Sequence, residues 1–416
     1  MGHTSVSFRQ EVRELNRSIS LSEIVSALSF AIELTDGAMS GHALRSCLLG
    51  MRIAEEAGLT PEEKSSLYYA LLLKDIGNEE MVGLRCDRGA SIVGKLGMGG
   101  LAADTVGYLE EHWDGSGYPH HARGRNIPRL ARVGAIAQHL DMFSIGRSTE
   151  IAIETMKEWS GSWFDPELVD AALALDLRDE LWTHCRATDH HETTRAVVLD
   201  LDPRKSQQLE EDQIDKVCEA FAEVVDAKSN FTFRHSRGVA ELARGIAQNL
   251  NLSPDRVRLV WRAALLHDLG KLSISNKILD KKTKLTEAEW KAVRRHPGLT
   301  RKILEQIESF REIAIVAGEH HEKLDGSGYP NQLTASDLSM ESRIIAVADV
   351  YGALSEDRPY RNGLTFGEIL PILNSLAGRK LDQDCIRALM TYLSQHRPQD
   401  IDPEVSADGQ LARFCA

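Results

Sequence analysis

The run Ala264-Leu265-Leu266-His267-Asp268-Leu269-Gly270-Lys271 closes an apolar stretch on an imidazole and a carboxylate side by side. Downstream, His320-His321-Glu322 and Asp325-Gly326-Ser327-Gly328-Tyr329-Pro330 answer it. Unpaired polar groups are costly in a core, whereas neutral imidazole with carboxylate suits divalent iron, manganese, zinc or nickel. A carboxylate can bridge two metals where imidazole cannot, so Asp268 is the natural bridge. Lys271 follows three residues later, and a helix continuing that far places its ammonium on the same face, beside whatever phosphate the metals hold. The chemistry that fits is hydrolysis: paired cations lower the pKa of a shared water and neutralise phosphoryl oxygens. His296-Pro297 offers another imidazole, counted as a ligand because it completes a two-metal set that otherwise falls short.

The elements that position these groups read as helices. Ser20 with Glu23 has capping-box spacing ahead of Ile24, Val25, Leu28 and Ile32, and a second helix carries His42 after a break at Asp36-Gly37. Thr60-Pro61-Glu62-Glu63 starts a helix that runs to Lys74-Asp75-Ile76-Gly77. Ser253-Pro254-Asp255 starts another that ends in His267-Asp268, after a helix carrying His235.

These stretches are a repeat. The interval from His42 to Lys74 equals that from His235 to His267, and Thr60 lies as far beyond His42 as Ser253 lies beyond His235. Asp114-Gly-Ser-Gly-Tyr-Pro119 mirrors Asp325 to Pro330, and the interval from Asp114 to Gln138 equals that from Asp325 to Asp349. The expected fold is therefore all-α, two tandem helical domains at 1–176 and 212–416 joined by a polar linker at 177–211. Within that linker Ala196-Val197-Val198-Leu199 reads as a short strand or packed segment, and His190-His191-Glu192 as solvated surface.

Overlaying the copies separates them. The second has His235, His267, Asp268, His320, His321 and Asp349 where the first has His42, Lys74, Asp75, Leu109, Glu110 and Gln138. A lysine at a ligand position puts a fixed charge where a dication would sit, so the first copy should hold no metal pair. It is also shorter between Lys74 and Leu109 than the second is between His267 and His320, which leaves His296 without a counterpart on this reading.

A net charge of −13 over 416 residues argues against a nucleic acid polymer as partner. Six cysteines without CxxC spacing read as reduced, structural thiols. No apolar stretch reaches the ~20 residues of a membrane span, so no membrane partner and a cytoplasmic location are expected.

The constellation of HDLGK, His296-Pro297, HHEKLDGSGYP, Ala348-Asp349 and Asp357-Arg358-Pro359-Tyr360-Arg361 resembles the HD-GYP phosphodiesterases, a bacterial subset of the HD-domain phosphohydrolases. The resemblance is strong over about 212–395, with the first copy a degenerate relative. It implies an all-α fold, hydrolysis of a cyclic dinucleotide (cyclic di-GMP or 3′,3′-cyclic GMP-AMP) to the linear dinucleotide and then mononucleotide, and a binuclear or trinuclear centre. Iron is the leading metal, with manganese, nickel or zinc also acceptable. By position, His235, His267, Asp268, His296, His320, His321 and Asp349 match the core ligands. The third-metal carboxylate, four residues before the first His, is Phe231 here, so two metals are expected. Asp268 and Lys271 match the catalytic groups, and Tyr329, Arg358, Arg361 and Lys271 the substrate contacts. Glu322 reads as orienting a ligand imidazole. The first copy would be a regulatory or dimerisation module, consistent with a homodimer. Two rivals stand beside this reading: an HD-type nucleotidase or dNTP phosphohydrolase, and a nucleotide-binding signalling adaptor with little turnover.

Overall fold

The structure is a computed structural model that describes residues 19–34, 41–77, 82–185, 191–204, 208–226, 228, 235–356 and 362–396. Arg358, Arg361, Phe231, Cys415 and the Asp36-Gly37 break lie outside these residues. Every regular element among them is a helix, and pairing between extended residues is limited to isolated bridges. The chain divides into two compact units, one spanning Ser18–Leu209 and one beginning at Glu210.

In the first unit α1 (Leu21–Glu33), α2 (His42–Glu56) and α3 (Pro61–Leu73) are followed by α4 (Val82–Lys95), α5 (Gly100–Gly107), α6 (Arg129–Gly146), α7 (Thr149–Glu158), α8 (Pro166–Leu177) and α9 (His191–Asp200). The expected capping boxes start α1 at Ser20 and α3 at Thr60. Each satisfies backbone N–H groups that the first helical turn leaves without a partner. Leu67, Tyr68, Tyr69, Leu71, Leu72 and Leu73 are fully buried on α3, which carries the chain into Lys74-Asp75.

The 177–211 stretch is not only linker. Its apolar residues form helix α9 rather than a strand, with Thr194 and Val198 buried one turn apart. The segment lies on its own unit: Tyr68 Oη donates to the Val198 carbonyl at 3.0 Å, Tyr69 Oη to Asp202 at 3.0 Å, and Arg204 Nε to Ser65 at 2.9 Å. Glu192 is exposed and His191 half-buried; His190 lies outside the described residues.

The second unit repeats the plan with α10 (Glu211–Asp226), α11 (His235–Asn249), α12 (Pro254–Leu266), α13 (Asn276–Leu279), α14 (Glu287–Val293), α15 (His296–Leu304), α16 (Arg311–Gly318), α17 (Met340–Ser355), α18 (Phe366–Leu376) and α19 (Gln383–His396). On α11 the buried positions His235, Val239, Leu242, Ala243, Ile246 and Ala247 recur at helical spacing, so a single stripe carries both the core and the first imidazole. Gly245 lets α19 approach, since a Cβ there would lie 2.3 Å from the Tyr392 ring.

In each unit an acidic residue ending one helix caps the next. Asp226 accepts from the Ser236 N–H and hydroxyl, as Glu33 accepts from the Gly41 and Ala43 N–H groups. This fixes the entry to α11 and α2, where His235 and His42 sit. Cys47, Cys86, Cys185, Cys218 and Cys385 are free and buried, as expected for structural thiols. No helix among the described residues is long and apolar enough to cross a membrane.

Candidate metal centre

The helix α12 stops at Leu266, and Leu269–Ser273 is a 3₁₀ turn rather than a continuation of the helix. Packing explains the stop. Gly270 brings its Cα against the His296 carbonyl, where a Cβ would stand 2.1 Å from the oxygen. Thr300 ties the two segments, accepting from Gly270 N at 2.9 Å and donating to the His267 carbonyl at 2.8 Å. A 3₁₀ turn eclipses positions three apart, so Lys271 still meets Asp268, Nζ to Oδ2 at 2.6 Å.

Six of the seven expected ligands converge as buried groups: His235, His267, Asp268, His296, His320 and Asp349 are each at most 6% exposed. His321 joins them half-buried at the edge. The donor atoms fall into two sets, His296 with His320 and His321, and His235 with His267 and Asp268. Asp268 divides its oxygens between them: Oδ1 lies 3.3 Å from His296 Nε2 and 4.0 Å from His320 Nε2, while Oδ2 lies 3.3 Å from His267 Nε2 and 3.9 Å from His235 Nε2. Asp349 does the same, with Oδ1 3.5 Å from His235 Nε2 and Oδ2 3.5 Å from His321 Nδ1.

The tautomers are set by the far side of each ring. His267, His296 and His320 donate Nδ1–H to the carbonyl three residues back, at Ala264, Val293 and Ala317, over 2.6, 2.7 and 2.6 Å. A carbonyl only accepts, so Nδ1 carries a proton and the neutral ring presents the Nε2 lone pair inward. Two such nitrogens, on His296 and His320, face each other at 3.1 Å, and His267 Nε2 is buried with no hydrogen-bond partner. Each unpaired buried polar atom costs roughly 1–3 kcal/mol against a total stability of about 5–15 kcal/mol for a domain. Inward lone pairs around two shared carboxylates are what a dication pair satisfies, so the residues present fit the metals.

The electrostatics agree. Burial, with the imidazoles His321, His267 and His296 around it, holds His320 well below its ordinary pKa, and burial brings His321 down to about 3. Burial alone would raise Asp268, but His267 and Lys271 hold it well below the usual carboxylate range. Asp349 likewise stays low against burial because of His235 and His321. These are the protonation states a metal requires. His235, pushed up to about 9 against its burial by Asp349 and Glu356, marks a place that favours positive charge.

Glu322 does not orient an imidazole. Its carboxylate, 1% exposed, accepts from Asn331 N at 2.6 Å and Leu333 N at 3.0 Å, holding the Gly-Tyr-Pro loop. Glu111 does the same for His120 and Ala122 in the first unit. Gly326 is at φ +74°, and a Cβ on Gly328 would meet Glu322 Cα at 2.4 Å, so both glycines serve the turn. Tyr329 lies against His321, ring centres 4.8 Å apart, with the Arg294 guanidinium 5.6 Å from its own ring centre.

In the first unit the seven positions hold no such set. Gly77 packs on the Arg85 carbonyl as Gly270 packs on that of His296, and Gly107 rests on Ala90 as Gly318 rests on Arg301. His296 therefore does have a counterpart, Arg85. The extra length of the second copy enters before His296 and includes α13 and α14, which corrects the expectation from spacing. Lys74 Nζ meets Asp75 at 2.5 Å and Arg85 meets Glu110 at 2.9 Å. His42 Nδ1 and Arg45 Nε each donate to the buried Asp141, both at 2.6 Å.

The family model described as HD domain matches residues 78–168 and 219–385. The 3′3′-cGAMP-specific phosphodiesterase 3 of Vibrio cholerae is 33% identical over 90% of this chain and 95% of its own length. The crystal structure of a cyclic GMP-AMP specific phosphodiesterase from V. cholerae, V-cGAP3, superposes with a TM-score of 0.67 at 31% identity, covering 92% of this chain and 99% of that one. The cyclic di-GMP phosphodiesterase response regulator RpfG of Xanthomonas campestris is 34% identical over 48% of this chain and 54% of its own length. The chain belongs to the HD-domain family and, within it, to the HD-GYP phosphodiesterases, as a tandem whose N-terminal copy is degenerate.

Proposed function

We propose that this chain is a metal-dependent phosphodiesterase that linearises a cyclic dinucleotide, with 3′,3′-cyclic GMP-AMP the favoured substrate. The V. cholerae relative that matches nearly end to end supports that choice. In this reading His235, His267, Asp268, His296, His320, His321 and Asp349 hold two divalent ions, iron foremost. The observation that carries it is the pair of shared carboxylates: each directs one oxygen to one group of imidazoles and the other oxygen to the second.

Bound there, the metals would supply an activated water and neutralise phosphoryl oxygens. The chain's own groups do the rest. The Nδ1 hydrogen bonds fix the orientation of the imidazoles and aim Nε2 inward. Lys271, 19% exposed and anchored on Asp268, offers its ammonium to the developing charge at the scissile phosphate. Tyr329, set on His321, lines the approach for a base or ribose. Arg358 and Arg361, outside the described residues, take the second phosphate by analogy with the family, where guanidinium forks match phosphate oxygens. The first unit, with side-chain cations where the metals would sit, acts as a regulatory or dimerisation module.

Parallel turnover of 3′,3′-cyclic GMP-AMP and cyclic di-GMP by anaerobically purified protein tests this reading. Faster linearisation of the mixed dinucleotide supports it. Faster cleavage of cyclic di-GMP moves the substrate to that of the RpfG relative, and hydrolysis of neither, with dNTPs turned over instead, replaces the reading with a nucleotidase.

A further inference from the structure

Three of the buried imidazoles are oriented by neutral carbonyls, and His235 is the exception. It opens α11, and its Nδ1 donates instead to Glu356 Oε2 at 2.7 Å. The first unit gives His42 a carboxylate too, but from a different place: Asp141 Oδ2, at 2.6 Å. Asp141 stands three residues after Gln138 on α6. Three residues after Asp349 on α17, the equivalent position is Gly352. A Cβ built on Gly352 would lie 3.7 Å from His235 Cε1 and 3.9 Å from its Nδ1, so a side chain at 352 would reach this imidazole.

Glu356 is one helical turn beyond Gly352, at the C-terminal end of α17. Room for its carboxylate comes from a second exchange. Arg45, which pairs with Asp141 in the first unit, lies three residues after His42, and the same place after His235 is Gly238. The Gly238 Cβ position is 3.6 Å from Glu356 Oε1. The second unit thus has glycine at both positions of the Arg–Asp pair and draws its carboxylate from the next turn.

We propose that Glu356 is the positioning residue for His235. It fixes the ring so that Nε2 faces Asp268 and Asp349, and its charge makes that nitrogen a stronger donor to a metal. The proposal rests on the metal-site reading above. A carboxylate behind a ligand imidazole orients the ring and raises its basicity, and losing one typically costs about 10- to 100-fold in metal affinity. Glu356 bonds the far side of the ring, at Nδ1, so its effect on the centre passes through His235.

The test is Mn²⁺ affinity of the full chain, measured by competition with a fluorescent chelator, with circular dichroism and melting temperature as folding controls. Glu356→Ala should weaken binding about 10- to 100-fold and Glu356→Gln, which keeps an acceptor without the charge, by the lower end of that range. Gly352→Asp in the Glu356→Ala background should restore affinity to within a few-fold, the Val239 methyl 3.0 Å from the new Cβ giving way by a few tenths of an ångström. Rescue distinguishes an orienting carboxylate from a merely structural one. Wild-type affinity in Glu356→Ala, or a loss that Gly352→Asp leaves untouched in a folded protein, overturns the proposal. Should the alanine variant not fold, the glutamine variant decides alone. Failure of the metal-site reading itself looks different: Asp268→Ala would then bind Mn²⁺ as the wild type does.

Discussion

The two units answer one problem, how to keep buried charge stable, in opposite ways. In the second, four imidazoles and two carboxylates are buried together, and Lys271 on Asp268 is the cation the chain places beside them, which leaves the inward imidazole nitrogens for the metals of the proposed reading. In the first, the chain supplies it: Lys74 and Arg85 stand where His267 and His296 stand, paired with Asp75 and Glu110. Asp141, 0% exposed, is held by Arg45 and His42. A fixed ammonium or guanidinium neutralises carboxylates without offering a site for a water or a phosphate. On the proposed reading the first unit keeps the architecture without the chemistry, and its stability should be independent of metal.

The largest effect should come from Asp268→Ala. Removing this carboxylate takes away one of the two that the imidazole groups share and the anchor of Lys271, and turnover should fall by more than about 10³-fold, beyond the loss of a single charge-stabilising donor. Helicity should be largely kept; retained turnover in steady-state assays would break the comparison at its active end.

Next comes the first unit's buried ion pair. Arg45→Ala leaves the buried Asp141 its His42 hydrogen bond but takes away its guanidinium, and should destabilise that unit by about 3–5 kcal/mol, because a buried charge without its countercharge is strongly unfavourable. Thermal unfolding with and without chelator separates the units: chelation should lower the second unit's transition and leave the first unit's where it was. A chelator-sensitive first unit would contradict the account of side-chain cations.

Much of this comparison is legible in the sequence and some is not. Helix starts at Ser20 and Thr60 can be read because a capping box is a local signal. The pairing of Lys74 with His267 can be read because no insertion intervenes. Arg85 cannot, since a shorter copy does not announce where the extra length enters. The usable signal is the equal spacing of Arg85 to Gly107 and His296 to Gly318, and only the second of these glycines adjoins a motif, at His320-His321. The 3₁₀ turn at Leu269–Ser273 depends on α15 pressing against Gly270, a contact made by a segment distant in the chain. The role of Glu322 is hidden because its partners are backbone N–H groups of a loop, which carry no sequence signature.

A smaller effect sharpens the role of the pocket cation. Lys271→Ala should lower kcat by about 10²-fold while leaving metal content unchanged, as expected for a group that stabilises developing charge. Equal loss of metal and turnover would reassign Lys271 to holding Asp268. Smallest of all is the attempt to revive the first unit: Lys74→His, placed in an Asp268→Ala background, should give no turnover, since Arg85, Leu109, Glu110 and Gln138 still fail as ligands. Activity in that double variant would mean the degenerate copy is closer to function than its residues suggest.

Metal residing in the second unit alone is checked by the metal content of three versions of this chain. Anaerobically purified wild type should carry about two ions per chain, Asp268→Ala should lose them, and Asp75→Ala at the matching position should keep both. Four ions in the wild type, or a loss on Asp75→Ala with Asp268→Ala fully loaded, would contradict the account.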